Sequence, residues 1–130
     1  MSAWKKASMP LHDPHSVEDY IFKLPPTDQD AAFYIHNELL SQPGMRCALR
    51  WSLPFYGRNK WICYLNPLKK GGFEWVFLDG QQLNQASSFL YIRNRARVAG
   101  MYYPTETGAE LNFISESLIQ EALWLDDLKK

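Results

Sequence analysis

The sequence predicts an α+β fold: an antiparallel sheet, a meander of three strands plus a fourth, with an N-terminal helix pair and a C-terminal helix on one face. Three observations predict it. Up to Gly44 the apolar residues recur at helical spacing. From Met45 they alternate at a period of two, and after Thr107 the helical spacing returns. The chain has 130 residues, 46% of them hydrophobic and 15% aromatic, which suits one well-filled core.

Residues 1–13 have no periodicity and read as a flexible or docked N-terminal arm, anchored by Trp4 and Leu11, ahead of a single domain over residues 14–130. In "SVEDYIFKLP" Ser16 with Asp19 resembles a capping box. Val17, Tyr20, Ile21 and Leu24 hold helical spacing until Pro25 and Pro26. A second helix opens at Thr27, with Asp30 completing a T-x-x-D start, and Ala31, Ile35 and Leu39 form its stripe.

Strand periodicity follows. In "MRCALRWSLP" Cys47, Leu49, Trp51 and Leu53 alternate with Arg46, Ala48, Arg50 and Ser52, which reads as one continuous strand. "FYGRN" then reads as a turn and "KWICYLN" as a second strand, with Trp61, Cys63 and Leu65 on one side. After "PLKKGG" the segment "FEWVFL" sets Phe73, Trp75 and Phe77 against Glu74, Val76 and Leu78. Pairing Leu49 with Cys63 and Trp51 with Trp61 gathers these rings on one inner face, whereas a one-residue slip would bring Arg50 among them. "DGQQLNQASSFLYIRN" reads as a turn and a short helix, and Arg97 to Tyr103 as the fourth strand. The last helix follows Pro104, with Thr107 and Glu110 as its capping box and Leu111, Ile114, Leu118, Ala122 and Leu125 as its stripe. Lys129 and Lys130 suit the negative end of its dipole.

Composition narrows the function classes. Basic and acidic residues are 14 each, so the basic excess that gathers phosphates is missing and nucleic acid is not an expected partner. No apolar run reaches the ~20 residues of a membrane span, and no apolar stretch follows the lysines of the N-terminus. Cys47 and Cys63 read as small hydrophobes in a sheet, consistent with a reducing, cytoplasmic setting. Zero net charge leaves monomer and homodimer both open.

Several stretches together resemble a known family. "LRWSLPFYGRNKWICYLNPLKKGGFEWVFLDGQQL", with its Pro-aromatic pair, its "CYLNP" strand end and its Lys-Gly turn, is followed by "RNRARVAGMYY" and a final helix. These features and the earlier "YIFKLP" resemble the YdhG-like family of small bacterial proteins over about Ser16 to Leu128. The resemblance implies an α+β sandwich and, for a subgroup, a frataxin-like iron chaperone. It carries no catalytic residue set, and iron is implied as a cargo by resemblance alone. Trp75 is larger than the residue several members place there.

Candidate sites fall in four places. The sheet face opposite the helices carries Ile62, Tyr64, Val76 and Leu78 with Arg50 and Glu74 among them. It is too apolar for a solvated surface, so a cleft, a docked arm and a dimer contact all fit. Tyr56 and Arg58 in the "PFYGRN" turn, with Lys60, could meet an anion, although a solvated hairpin loop explains them as well. Arg93, Arg95 and Arg97 alternate along "RNRAR" and could grip a phosphate or carboxylate, or simply protect a sheet edge. For a metal, the acids Glu18, Asp19, Asp28 and Asp30, with Glu38, make a thin ridge on the two helices. His12-x-x-His15 with Asp13 is a poorer site because it sits in the arm, and Asp28 and Asp30 are also explained as helix-start carboxylates. No P-loop, G-x-S-x-G or G-x-G-x-x-G is present. The leading expectation is a non-enzymatic binding or carrier module for iron or a small anionic ligand. An enzyme using Tyr64, Glu74 or Arg50 in the same cleft is the rival, and a protein that dimerises through that face is the third reading.

Overall fold

The structure, a computed structural model, describes residues 11–83, 91–92, 99–103 and 109–128. They form α1 (Pro14–Phe22), α2 (Pro26–Leu40), β1 (Arg46–Arg50), β2 (Leu53–Gly57), β3 (Trp61–Pro67) and β4 (Phe73–Phe77). A 3-10 turn (Gly80–Gln82), β5 (Tyr91–Ile92), β6 (Ala99–Tyr103) and α3 (Ala109–Asp127) complete the order. The strands make one sheet, ordered β1-β2-β3-β4-β6-β5, with every neighbouring pair antiparallel. Val17 and Ile21 of α1, Ile35 and Leu39 of α2 and Leu118 of α3 join one cluster with Cys47, Tyr56, Leu65 and Trp75 of the sheet, so the helices share a single face. This is the α+β class read from the sequence, with a wider sheet.

The helix starts differ from the expected capping boxes. Asp13 caps α1: one carboxylate oxygen accepts the Ser16 N–H at 3.3 Å and the other accepts the Ser16 hydroxyl at 2.7 Å. These two bonds hold the Asp13 carboxyl below its ordinary value. Ser16 is therefore the capped residue rather than the cap, because Pro14 fits the first turn, where no N–H is needed. In α2 the chain enters through Pro25 and Pro26 without a side-chain cap, and the Thr27–Asp30 box does not form. Proline's fixed φ starts this helix. Thr107, Lys129 and Lys130 lie outside the described residues.

The largest difference is at Trp51–Ser52. The expected continuous strand is a hairpin: β1 folds back on β2, pairing Arg50 with Leu53 and Cys47 with Tyr56. Both turn residues have left-handed backbone, φ 49° and 61°, as a two-residue type I′ hairpin requires. Neither is the Asn or Gly that usually marks such a turn, so the pattern alone hid it. Pro54 is tolerated because the β2–β3 ladder begins one residue later, at Phe55 opposite Tyr64.

Parity changes accordingly. Cys47, Tyr56, Cys63 and Phe77 stand in one cross-strand row facing the helices, beside the Leu65–Trp75 pair. An irregularity at Tyr56/Gly57 sets Gly57 opposite Trp61 instead of Ile62. The bulge turns Ile62 inward to the core and Trp61 outward, the reverse of the expected arrangement. Trp51, expected inside, is 76% exposed. Phe73, Trp75 and Phe77 are inner and buried as read from the sequence, each burial contributing roughly 1.5–3 kcal/mol.

Candidate functional site: an aromatic cleft on the open sheet face

The face away from the helices carries a cleft of ≈ 380 Å³, within the range of small-molecule sites. A pocket on the helix side, under α3, holds ≈ 20 Å³, room for about one water. Phe55 is the floor of the cleft, stacked on Tyr64 with ring centroids 4.7 Å apart and planes 15° from parallel. Trp51 and Trp61 stand on this floor as walls, meeting Phe55 edge-on at 5.6 Å and 5.8 Å. Leu53 and Leu78 extend the apolar lining, and Lys60 supplies a charge at the rim.

Arg50 occupies the middle. Its guanidinium carbon lies 4.4 Å from the ring centre of Trp51, 5.2 Å from Trp61 and 5.4 Å from Phe55. At a partly solvated site each such contact contributes about 0.5–1 kcal/mol. Arg50 is on the outer face, as expected, and it is Trp51 and Trp61, expected inside, that join it there, while Phe73, Trp75 and Phe77 stay in the core. A guanidinium over ring faces, with its edge in water, carries no buried-charge penalty. Among the described residues no carboxylate lines the cleft, and none forms an ion pair with Arg50 or Lys60.

The wall supplied by Trp51 carries a backbone cost. A left-handed residue with a side chain costs roughly 1–2 kcal/mol, and here two in succession hold an exposed indole beside the cation. Strain of this kind concentrates where a side chain must be presented in one place.

The other sequence candidates divide. Arg50 and Tyr64 are in the cleft. Glu74 lies on the same face but three strands from β1, about 14 Å at the usual strand spacing. It is buried and accepts a hydrogen bond from the Asn66 amide at 3.1 Å. The enzyme trio of Tyr64, Glu74 and Arg50 is therefore not assembled. Ile62 is core. Tyr56 is no turn residue but a fully buried member of β2. Arg58 is a clamp between the β2–β3 loop and α3: it donates to Asp127 at 2.6 Å, to the Leu123 carbonyl at 3.1 Å and to Asp126 at 3.4 Å. Arg93, Arg95 and Arg97 lie outside the described residues.

The proposed metal ridge is dispersed as well. Asp28 is buried and accepts the Gly72 N–H with both oxygens, at 3.2 and 3.1 Å, fixing the β3–β4 turn to the start of α2. Glu18 faces His36, Asp19 meets His15 at 3.4 Å, and Asp30 is exposed. His12 is turned to the edge strand, where its Nδ1 accepts the Cys47 N–H at 3.3 Å, while the Asp13 N–H donates to the Cys47 carbonyl at 2.6 Å. Among the described residues no group of three or more His, Cys, Asp and Glu side chains is placed to hold a metal ion. No family model matches the chain, and neither a curated protein nor a solved structure matches it.

Two buried networks escaped the sequence reading. The phenol of Tyr56 lies 2.9 Å from His36 Nδ1, and His36 Nε2 lies 3.4 Å from Glu18. The chain is satisfied when Nε2 carries the proton, donating to Glu18 while Nδ1 accepts from Tyr56. Burial lowers the His36 pKa, against a smaller opposing pull from Glu18, and raises that of Tyr56. Cys47 and Cys63 are free thiols pushed up to about 12 by burial, so neither is a nucleophile. In the second network Asp126 of α3 is 3% exposed and accepts the N–H groups of Asn59 and Lys60 and the Asn59 amide, each at 3.0 Å. That carboxylate fixes the backbone that presents Lys60 and Trp61 to the cleft. Its signal in the sequence is only an acid near a helix C-terminus, where the dipole disfavours it.

Proposed function

We propose that this protein is a non-enzymatic binding module that holds a small anionic molecule with an apolar body in the open-face cleft. One observation carries the reading: Arg50 is held over three aromatic rings, in a cleft that the described residues line with a second cation and no acid. Apolar walls supply the area that gives affinity, and the two cations select the sign of the charge. The guanidinium lies over the rings at the centre of the cleft, within reach of an acidic group on a molecule that enters it. The YdhG-like resemblance suggests iron instead, but the carboxylates that would serve it are the scattered ones described above, and the cleft's charge disfavours a cation.

Calorimetric titration of the full chain with naphthoate tests the proposal. Binding in the micromolar range is expected, weakened about tenfold or more by Trp61→Leu, a loss of ~1.4 kcal/mol. Equal affinity in the two proteins would remove the cleft as the site.

A further inference from the structure

We propose that the ligand is a planar aromatic anion, and that its ring takes the place now filled by the Arg50 guanidinium between Trp51 and Trp61. This inference rests on the cleft being the binding site, and it goes further by naming the chemical class and the subsite.

The geometry of the walls leads to it. Both indoles meet the same floor ring at steep angles, 69° for Trp51 and 79° for Trp61. The group between them is a flat cation near each ring. A space with two aromatic walls and an aromatic floor, filled by a planar group, suits another planar group. Spherical or flexible aliphatic anions would leave the indoles without contact, so they do not account for the two tryptophans. An organic cation would meet Arg50 and Lys60, which among the described residues have no carboxylate in ion pair with them.

Arg50 is suited to give way. It is the last residue of β1, its side chain is half-buried, and no hydrogen bond from its guanidinium to a described residue holds it there. Swung off the rings, the guanidinium pairs with the acidic group of the ligand in the bidentate manner that carboxylates and sulfonates allow, and Lys60 supplies the second charge. Arg50 thus serves as the stand-in for the ring and as the partner of the anion. This predicts opposite effects of one substitution on two ligands.

The matched probes are anilinonaphthalene sulfonate and its uncharged parent phenylnaphthylamine, which share a ring system and fluoresce when bound. With the wild-type chain the sulfonate binds about tenfold tighter or more. In Arg50→Met the neutral probe gains several-fold in affinity because its competitor is gone. The sulfonate loses about tenfold, so the two converge. Lys60→Gln weakens the sulfonate alone. Urea midpoints of the variants confirm that they are folded, and Trp51→Ala, at a mostly exposed position, repeats the wall test without touching the core.

An unchanged or weakened neutral probe in Arg50→Met would overturn the displacement while leaving the cleft as the site. Equal wild-type affinities for the two probes would overturn the anionic class. If Trp61→Leu and Trp51→Ala left both probes untouched, the cleft reading itself would fall. Light scattering that shows a dimer dissociated by Trp51→Ala would assign the cleft to a second copy of the chain and overturn the ligand.

Discussion

Replacing Asp126 with alanine removes the acceptor that ties the β2–β3 loop to α3. The carboxylate takes two backbone N–H groups and one side-chain amide at 3.0 Å, and Arg58 approaches it at 3.4 Å. A buried donor left without a partner costs about 1–3 kcal/mol. The loop donors are part-buried, so water reaches some of them and the sum falls short of the upper bound. The expected loss is roughly 3 kcal/mol for Asp126→Ala, and about half that for Asp126→Asn, which keeps one acceptor oxygen. Urea unfolding reads this as a lower midpoint at unchanged slope. Because Lys60 and Trp61 continue directly from the clamped loop, anilinonaphthalene sulfonate binding should weaken in the same variants. A stability loss below ~0.5 kcal/mol for the alanine variant, the range of ordinary surface changes, would refute the clamp.

The turn and the buried histidine give two further expectations. Ser52→Gly should raise stability by about 0.5–1 kcal/mol, since relief of the left-handed strain exceeds the entropy gained by the unfolded chain. Trp51→Asn added to it completes the preferred turn sequence, keeps most of that gain and loses probe binding; a destabilised Ser52→Gly protein would show that the turn is not strained. For His36, the folded pKa lies below the unfolded value of about 6.5, so between the two the unfolded chain binds more protons. Its contribution is complete above pH ~6.5 and is lost as pH falls through that window, with a slope of at most ~1.4 kcal/mol per pH unit. His36→Gln, with Glu18, Tyr56 and Cys47 still in place, should be less stable at pH 7.5 and flatter as pH falls below 6.5. An equally steep profile would exclude His36 as the source.

Elements whose own periodicity is strong were legible. α1, α2 and α3 follow from apolar spacing and β3 and β4 from alternation, because these signals depend only on which residues must share a face; β6 was also read as a strand. The free cysteines and the inner Phe73, Trp75 and Phe77 belong to the same class. The cleft was legible in part: an apolar outer face carrying Arg50 and Tyr64 was expected, but Trp51, Phe55, Trp61 and Lys60 were not placed on it.

Those four depended on two events that alternation does not encode. A turn through Trp51–Ser52 converts one strand into two, and a bulge beside Gly57 swaps the faces of Trp61 and Ile62. Each acts only on its neighbours, since Cys63, Leu65, Phe73, Trp75 and Phe77 keep the expected face, yet an irregularity too small to change composition moves an indole from core to surface. The same holds for Asp28 and Arg58, read as ligand candidates, and for Asp126, whose role the sequence does not show, until folding brings them to Gly72, α3 and Asn59. The sequence by itself determined the three helices, the strands β3, β4 and β6 and the burial of Phe73, Trp75 and Phe77, since burial of apolar area is summed over whole segments. The tertiary structure decided where the chain reverses and which charges are spent on the fold, since single turns and hydrogen bonds are settled only by the partners that packing supplies.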